Sequence, residues 1–137
     1  MSAVRAAAAT GASLLLFAGV AVACGEELRG ATRTIEGKGY VVAFRTVPDP
    51  IAVGAHFALD FAVCPRAKSQ PPRAVRVDAS MPEHRHGMNY RPVVTPRPSG
   101  AYRADGLMFH MPGRWELVFD VVAASGTERV AATIQLD

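Results

Sequence analysis

Apolar and polar residues alternate through much of this chain with a period of two, the repeat of a β-strand that buries one face. Between His56 and Cys64, the residues Phe57, Leu59, Phe61 and Val63 fall on one side and Asp60 on the other. Val75, Val77, Ala79 and Met81 alternate with Arg76, Asp78 and Ser80. Trp115, Leu117, Phe119 and Val121 alternate with Glu116, Val118, Asp120 and Val122, and a Ser125-Gly126 hairpin signal leads into Val130, Ala132, Ile134 and Leu136. Tyr40 to Thr46 is rich in β-branched and aromatic residues and stops at the turn signal Pro48-Asp49-Pro50. Tyr102 to His110 makes a further strand, ended by Pro112-Gly113; alternation sets Met108 and His110 on one face and Phe109 and Met111 on the other.

The stretches between these strands read as connections. Gly25 to Gly37 mixes charges with little apolar periodicity and is expected to be a loose arm, and Pro65 to Arg73 a loop. Pro82 lacks a ladder donor and Gly87 accepts unusual dihedrals, so Pro82 to Asn89 is expected to leave the sheet as a turn. Pro92 to Pro98 reads as a Pro-rich span. No amphipathic helix competes after residue 23. Six or seven short strands with turn residues between them predict an all-β fold, an immunoglobulin-like or cupredoxin-like β-sandwich of about seven strands.

The first residues change the picture of where this sandwich works. Met1 to Arg5 is a short basic region, Ala6 to Val22 is apolar or small, and Ala21-Val22-Ala23 is an A-x-A cleavage pattern. The apolar segment falls short of the roughly 20 residues a spanning helix needs. The expected organisation is therefore a signal peptide over 1–23, an N-terminal arm over 24–38 and one sandwich domain over 39–137, exported to the periplasm or another extracytoplasmic compartment. Cys24 and Cys64 are the two cysteines. In an oxidising compartment they can pair, and this is the favoured reading. Cys24 also stands where a bacterial lipoprotein is acylated, although the residues before it make a weak lipobox without the usual Leu. Cys64 can alternatively be a buried strand-end residue or a thiolate ligand.

Charge narrows the partners. Removing residues 1–23, which hold Arg5 and no acid, leaves 14 basic and 12 acidic side chains. A balance of about +2, with arginines scattered singly, argues against nucleic acid and against an anionic membrane surface; membrane attachment would follow only from lipidation of Cys24.

Candidate chemistry is concentrated in two runs, Met81-Pro82-Glu83-His84-Arg85-His86-Gly87-Met88 and Leu107-Met108-Phe109-His110-Met111-Pro112-Gly113. They hold three of the four histidines and four of the five methionines. Thioether sulfur is a soft ligand that favours Cu(I), and imidazole suits copper among other metals, so Met81, His84, His86, Met88, His110 and Met111 form a candidate copper set. If the turn after the Val75 strand lies beside the end of the Tyr102 strand, the two runs meet. The plainer reading makes Met81 and Met111 core gap-fillers and leaves the histidines in a polar turn. Glu83 is a candidate to orient an imidazole, as carboxylates do around metal sites; Asn89 and Tyr90 are candidates to hydrogen-bond around it. His56 reads as a surface strand end far from either run, and Trp115 as the central core aromatic. Enzyme motifs are missing: there is no Ser-centred nucleophile signature, no zinc helix and no phosphate loop. The His-x-His pair does not continue as a cupin site, which wants a Glu where this chain has Tyr90 and Arg91.

These residues resemble the YtkA-like domain family, related to the FixH-like exported proteins of bacteria. The resemblance covers roughly Tyr40 to Leu136. It rests on Val75-x-Val77-x-Ala79-x-Met81-Pro82, His84-x-His86-Gly87-Met88, Pro92, Gly100-x-Tyr102 and Phe109-His110-Met111-Pro112-Gly113-x-Trp115-Glu116-Leu117. It implies a small extracytoplasmic β-sandwich of heavy-metal and respiratory-oxidase contexts, with a site at Met81, His84, His86, Met88, His110 and Met111. The chain lacks the transmembrane helix of FixH-like members. The leading expectation is a non-enzymatic, periplasmic Cu(I) chaperone or buffer that passes its ion to an envelope metalloprotein or transporter. The second is a metal-free immunoglobulin-like module that docks an envelope protein through Pro92 to Gly100 and the arginines. A third is a small-ligand pocket between the sheets lined by Tyr90, Tyr102 and Trp115.

Overall fold

The computed structural model describes residues 23–30 and 32–137; the expected signal peptide, apart from Ala23, lies outside the described residues. Two antiparallel sheets pack face to face. One, in the order β1-β2-β3-β7-β6, contains β1 (Arg33–Glu36), β2 (Tyr40–Val47), β3 (His56–Pro65), β6 (Val93–Pro96) and β7 (Ala101–Met108). The other, in the order β5-β4-β8-β9, contains β4 (Ala74–Met81), β5 (His86–Gly87), β8 (Gly113–Ala123) and β9 (Gly126–Leu136). The fold is an all-β sandwich, as the alternation predicts.

The inner faces of β3, β4, β8 and β9 are the ones the pattern picks out. Tyr40, Val42 and Phe44 of β2, the Phe57 to Val63 face of β3, Val75 to Met81 of β4, Trp115 to Val121 of β8 and Val130 to Leu136 of β9 form one core. Phe44, Phe61 and Phe119 meet across the sheets with ring centroids 5.2–5.5 Å apart. Each such aromatic or aliphatic side chain contributes roughly 1.5–3 kcal/mol by leaving water.

Three short strands were not legible in the pattern. β1 falls inside the expected loose arm yet pairs with β2 from Arg33 opposite Phe44 to Glu36 opposite Val41. Its strand geometry comes from the partner's open edge and from Arg33, whose guanidinium lies 5.3 Å over the Phe44 ring and donates to Thr133 O at 2.8 Å. β6 occupies the Pro-rich span. It can, because it is an edge strand bonded on one side only, to β7, and a proline on an edge sacrifices no buried ladder bond. β5 folds the expected turn back onto β4.

A bulge in β7 sets which residues of the second His/Met run face inward. Phe57 is opposite Leu107 and Leu59 opposite Ala104, so β7 carries one residue more than β3 over this interval. Gly106, at φ +90°, supplies the backbone that absorbs it. The extra residue resets the alternation: Ala104, Leu107 and Phe109 are all buried, and Met108 is turned outward opposite His56.

Cys24 and Cys64 form a disulfide that ties the N-terminal segment to the outer face of β3. Gly25, at φ +83°, lies so close over Ala43 that a Cβ there would collide with the Ala43 methyl. Both sulfurs are thereby engaged, which removes Cys64 from any ligand set and leaves no free Cys24 thiol for acylation.

Candidate metal centre

The first run forms a tight hairpin. His84 N–H donates to Met81 O at 3.1 Å and Arg85 N–H to Pro82 O at 3.3 Å, and Arg85 takes a left-handed conformation at φ +56° to bring the chain round. β5 then pairs His86 with Met81 and Gly87 with Ser80. Residues directly opposite in a ladder share a face, so His86 is carried to the inner side with Met81, at the end of the sandwich.

The second run arrives at that same end from the other sheet. Once past the β7 bulge the chain buries Phe109 against Trp115, the rings stacked at 4.5 Å and 5°. His110 follows, edge-on to Trp115 at 5.3 Å. The Trp115 indole N–H donates to Met111 O at 3.0 Å and pins the turn. Gly113, at φ +121°, completes it, and a Cβ there would lie 2.8 Å from Met81 Cε. That absent side chain is the space the Met81 methyl occupies.

The two runs therefore meet, as the sequence reading required. The rings of His86 and His110 are 5.1 Å apart between centroids, and those of His84 and His86 5.9 Å. His86 is also 5.9 Å from Trp115. Two imidazoles bound to one ion at about 2.0–2.1 Å have ring centres roughly 5–6.5 Å apart, depending on the angle between them. Both pairs fall in that range. His86 Nδ1 lies 3.2 Å from Gly87 O, a contact the carbonyl accepts from an Nδ1–H; in the neutral ring of that tautomer Nε2 is the nitrogen that offers a lone pair. His110 Nδ1 is buried without a hydrogen-bond partner. An unsatisfied buried nitrogen costs roughly 1–3 kcal/mol, a cost that a bound ligand can offset.

The six candidate residues are not placed alike. Met81 is 1% exposed, inside the core, and Met111 packs half-buried against it. His84 is exposed. Met88 N–H bonds to Ala79 O, one pleat along from His86, and the Met88 side chain lines a cleft with Val75, Val77, Tyr90 and Val94. Among the described residues no group of three or more His, Cys, Asp or Glu side chains is placed to hold a metal.

Neighbouring residues depart from expectation. Glu83 is taken by Arg114 at 2.8 Å and is not the partner of an imidazole. His56 is not remote from the second run: it stands opposite Met108, and its ring meets Tyr90 edge-on at 4.9 Å. The signal that could have found it was the bulge glycine, Gly106, because only a reset of alternation puts Met108 on that face. Trp115 is wholly buried against Phe109 and Tyr102 stacks on Phe61 at 5.2 Å, so a ligand pocket between the sheets lined by these rings is excluded.

The strongest charge pairing lies away from the centre. Asp60 receives Arg45 at 2.7 Å and Arg103 at 2.8 Å across β2, β3 and β7. Burial pushes the Asp60 carboxyl up, but the two guanidiniums together outweigh it and hold the pKa below the ordinary value of 3.8. On the opposite sheet the hydrogen-bonded Arg129 holds Asp120 below its ordinary range in the same way. No protein-family model, no curated protein and no solved structure matches this chain.

Proposed function

We propose that this chain is an exported, periplasmic or extracytoplasmic copper-binding protein, a non-enzymatic chaperone or buffer that holds Cu(I) through His and Met ligands. One observation carries the reading: His86 on β5 and His110 on the connection from β7 to β8, members of separate runs, have ring centres 5.1 Å apart beside the Met81 and Met111 segments, and His110 Nδ1 is buried without a partner. Imidazole and thioether are neutral, borderline-to-soft donors, the set that suits Cu(I) over hard cations. Neutral ligands at a domain end can be replaced one at a time, which suits delivery to an envelope metalloprotein or transporter.

The test is a competition for Cu(I), under ascorbate, between the purified mature protein and a chromogenic chelator. Wild type should withdraw one ion per chain, and His86→Ala/His110→Ala should withdraw none at the same chelator concentration. Equal competition by both proteins would end the proposal.

A second reading draws on the cleft lined by Val75, Val77, Met88, Tyr90 and Val94, about 620 Å³, with the exposed Val93 beside it. It is a metal-free interaction module for an envelope protein. Capture of a partner from periplasmic extract, unchanged by chelator, would favour the module over the copper protein.

A further inference from the structure

The three imidazoles are graded in depth as well as spaced in series. His84 is exposed on the hairpin tip, His86 is half-buried at the start of β5, and His110 is half-buried with Nδ1 sealed from solvent. His86 is the shared member: it lies 5.9 Å from the outer ring and 5.1 Å from the inner one.

Building on the copper reading above, we infer that His84, His86 and His110 form an ordered entry path, in which His84 with His86 captures Cu(I) at the surface and His86 with His110 holds it inside. The handover is a ligand exchange. A nitrogen of His110 bonds to the ion, the bond to His84 Nε2 breaks, and His86 Nε2 stays bound throughout. The ion remains Cu(I), the imidazoles enter neutral and leave neutral, and no electron or proton is transferred.

Position explains why the outer ring cannot be the resting ligand. His84 stands on a turn whose polar groups face water, where solvent competes for every coordination position. The inner pair is set edge-on against the buried Trp115 ring, at 5.9 Å for His86 and 5.3 Å for His110, where fewer waters compete for the ion. Release runs the same path outward, so His84 governs how fast the ion moves and His110 governs how tightly it is kept.

The experiment is a stopped-flow measurement of Cu(I) uptake from a chromogenic Cu(I)–chelator complex, followed by loss of the complex's absorbance. Wild type, His84→Ala and His110→Ala are compared, each with its equilibrium affinity. His84 touches nothing in the core, so its variant folds. The expected result for His84→Ala is uptake slowed several-fold with equilibrium affinity close to wild type. For His110→Ala the expected result is fast uptake with affinity reduced at least by the roughly 10–100-fold that losing even an outer partner of a metal ligand costs. Uptake by His84→Ala at the wild-type rate would overturn the path while leaving the two-imidazole site standing. Equal affinity losses in the two variants would also overturn it, since all three rings would then bind at once. No uptake by wild type would remove the path together with the copper reading.

Discussion

Gly113 shows how a single residue can shape the centre. Its φ of +121° lies where L side chains are strained, and a Cβ would meet Met81 Cε at 2.8 Å. Gly113→Ala should therefore destabilise the fold by about 1–3 kcal/mol through backbone strain and overpacking, read as a lower urea midpoint at unchanged slope. A midpoint equal to wild type would mean the turn relaxes freely. Trp115 offers a second handle at this scale. It is the one tryptophan in the sequence and lies within 5.9 Å of both His86 and His110. An ion between these imidazoles sits beside the indole, so Cu(I) addition should quench the protein's emission with a one-to-one endpoint. Unchanged emission on saturation would place the ion elsewhere.

Among the elements, the β2-β3-β7 trio carries the clearest electrostatic device. Arg45, Asp60 and Arg103 stand in one register row on the outer face, with Asp105 also bonded to Arg103 at 2.9 Å. Because the folded Asp60 pKa is depressed, its stabilising contribution is complete above the ordinary value of 3.8 and fades as pH falls through the lower folded value. Asp120, depressed by Arg129, adds to the same acid-side loss. Asp60→Asn should cost roughly 1 kcal/mol at neutral pH, since these side chains are partly solvated and screened. It should also flatten the fall in stability between neutral pH and pH 3, measured as urea midpoints along that range. An unaltered pH profile would show that the row contributes no net stability. The β4–β5 hairpin and the end of β7 do different work: they bring two sequence-distant His/Met runs to one end of the sandwich.

For the whole molecule, the Cys24–Cys64 disulfide closes a span of 40 residues and fastens the N-terminal segment across the outer face of β3. A cross-link of this span stabilises by about 2–4 kcal/mol, chiefly by restricting the unfolded chain. Cys24→Ser/Cys64→Ser should lose that amount in chemical denaturation while keeping its Cu(I) affinity, because the disulfide and the centre occupy different parts of the sandwich. Loss of affinity with stability intact would show that the N-terminal segment reaches the centre.

The two His/Met runs stand in the sequence as such, and the sequence by itself determined the all-β class and the buried faces of β3, β4, β8 and β9. Those properties follow from period-two alternation, which each segment carries within itself: Val75 to Met81 reads inward whatever lies beside it. Only the tertiary structure decided the rest. β1, β5 and β6 are strands because a neighbouring edge offers hydrogen bonds, not because their own residues demand it. The inward turn of Phe109 depends on one extra residue at Gly106, and His56 comes to face Met108 for the same reason. The Glu83–Arg114 pair links residues about 30 apart in the chain and leaves no trace in local pattern. The 5.1 Å approach of His86 to His110 likewise arises from the pairing of β4 with β5 and β8 and from the crossing of the chain from β7 to β8, a relation between segments that no single segment encodes.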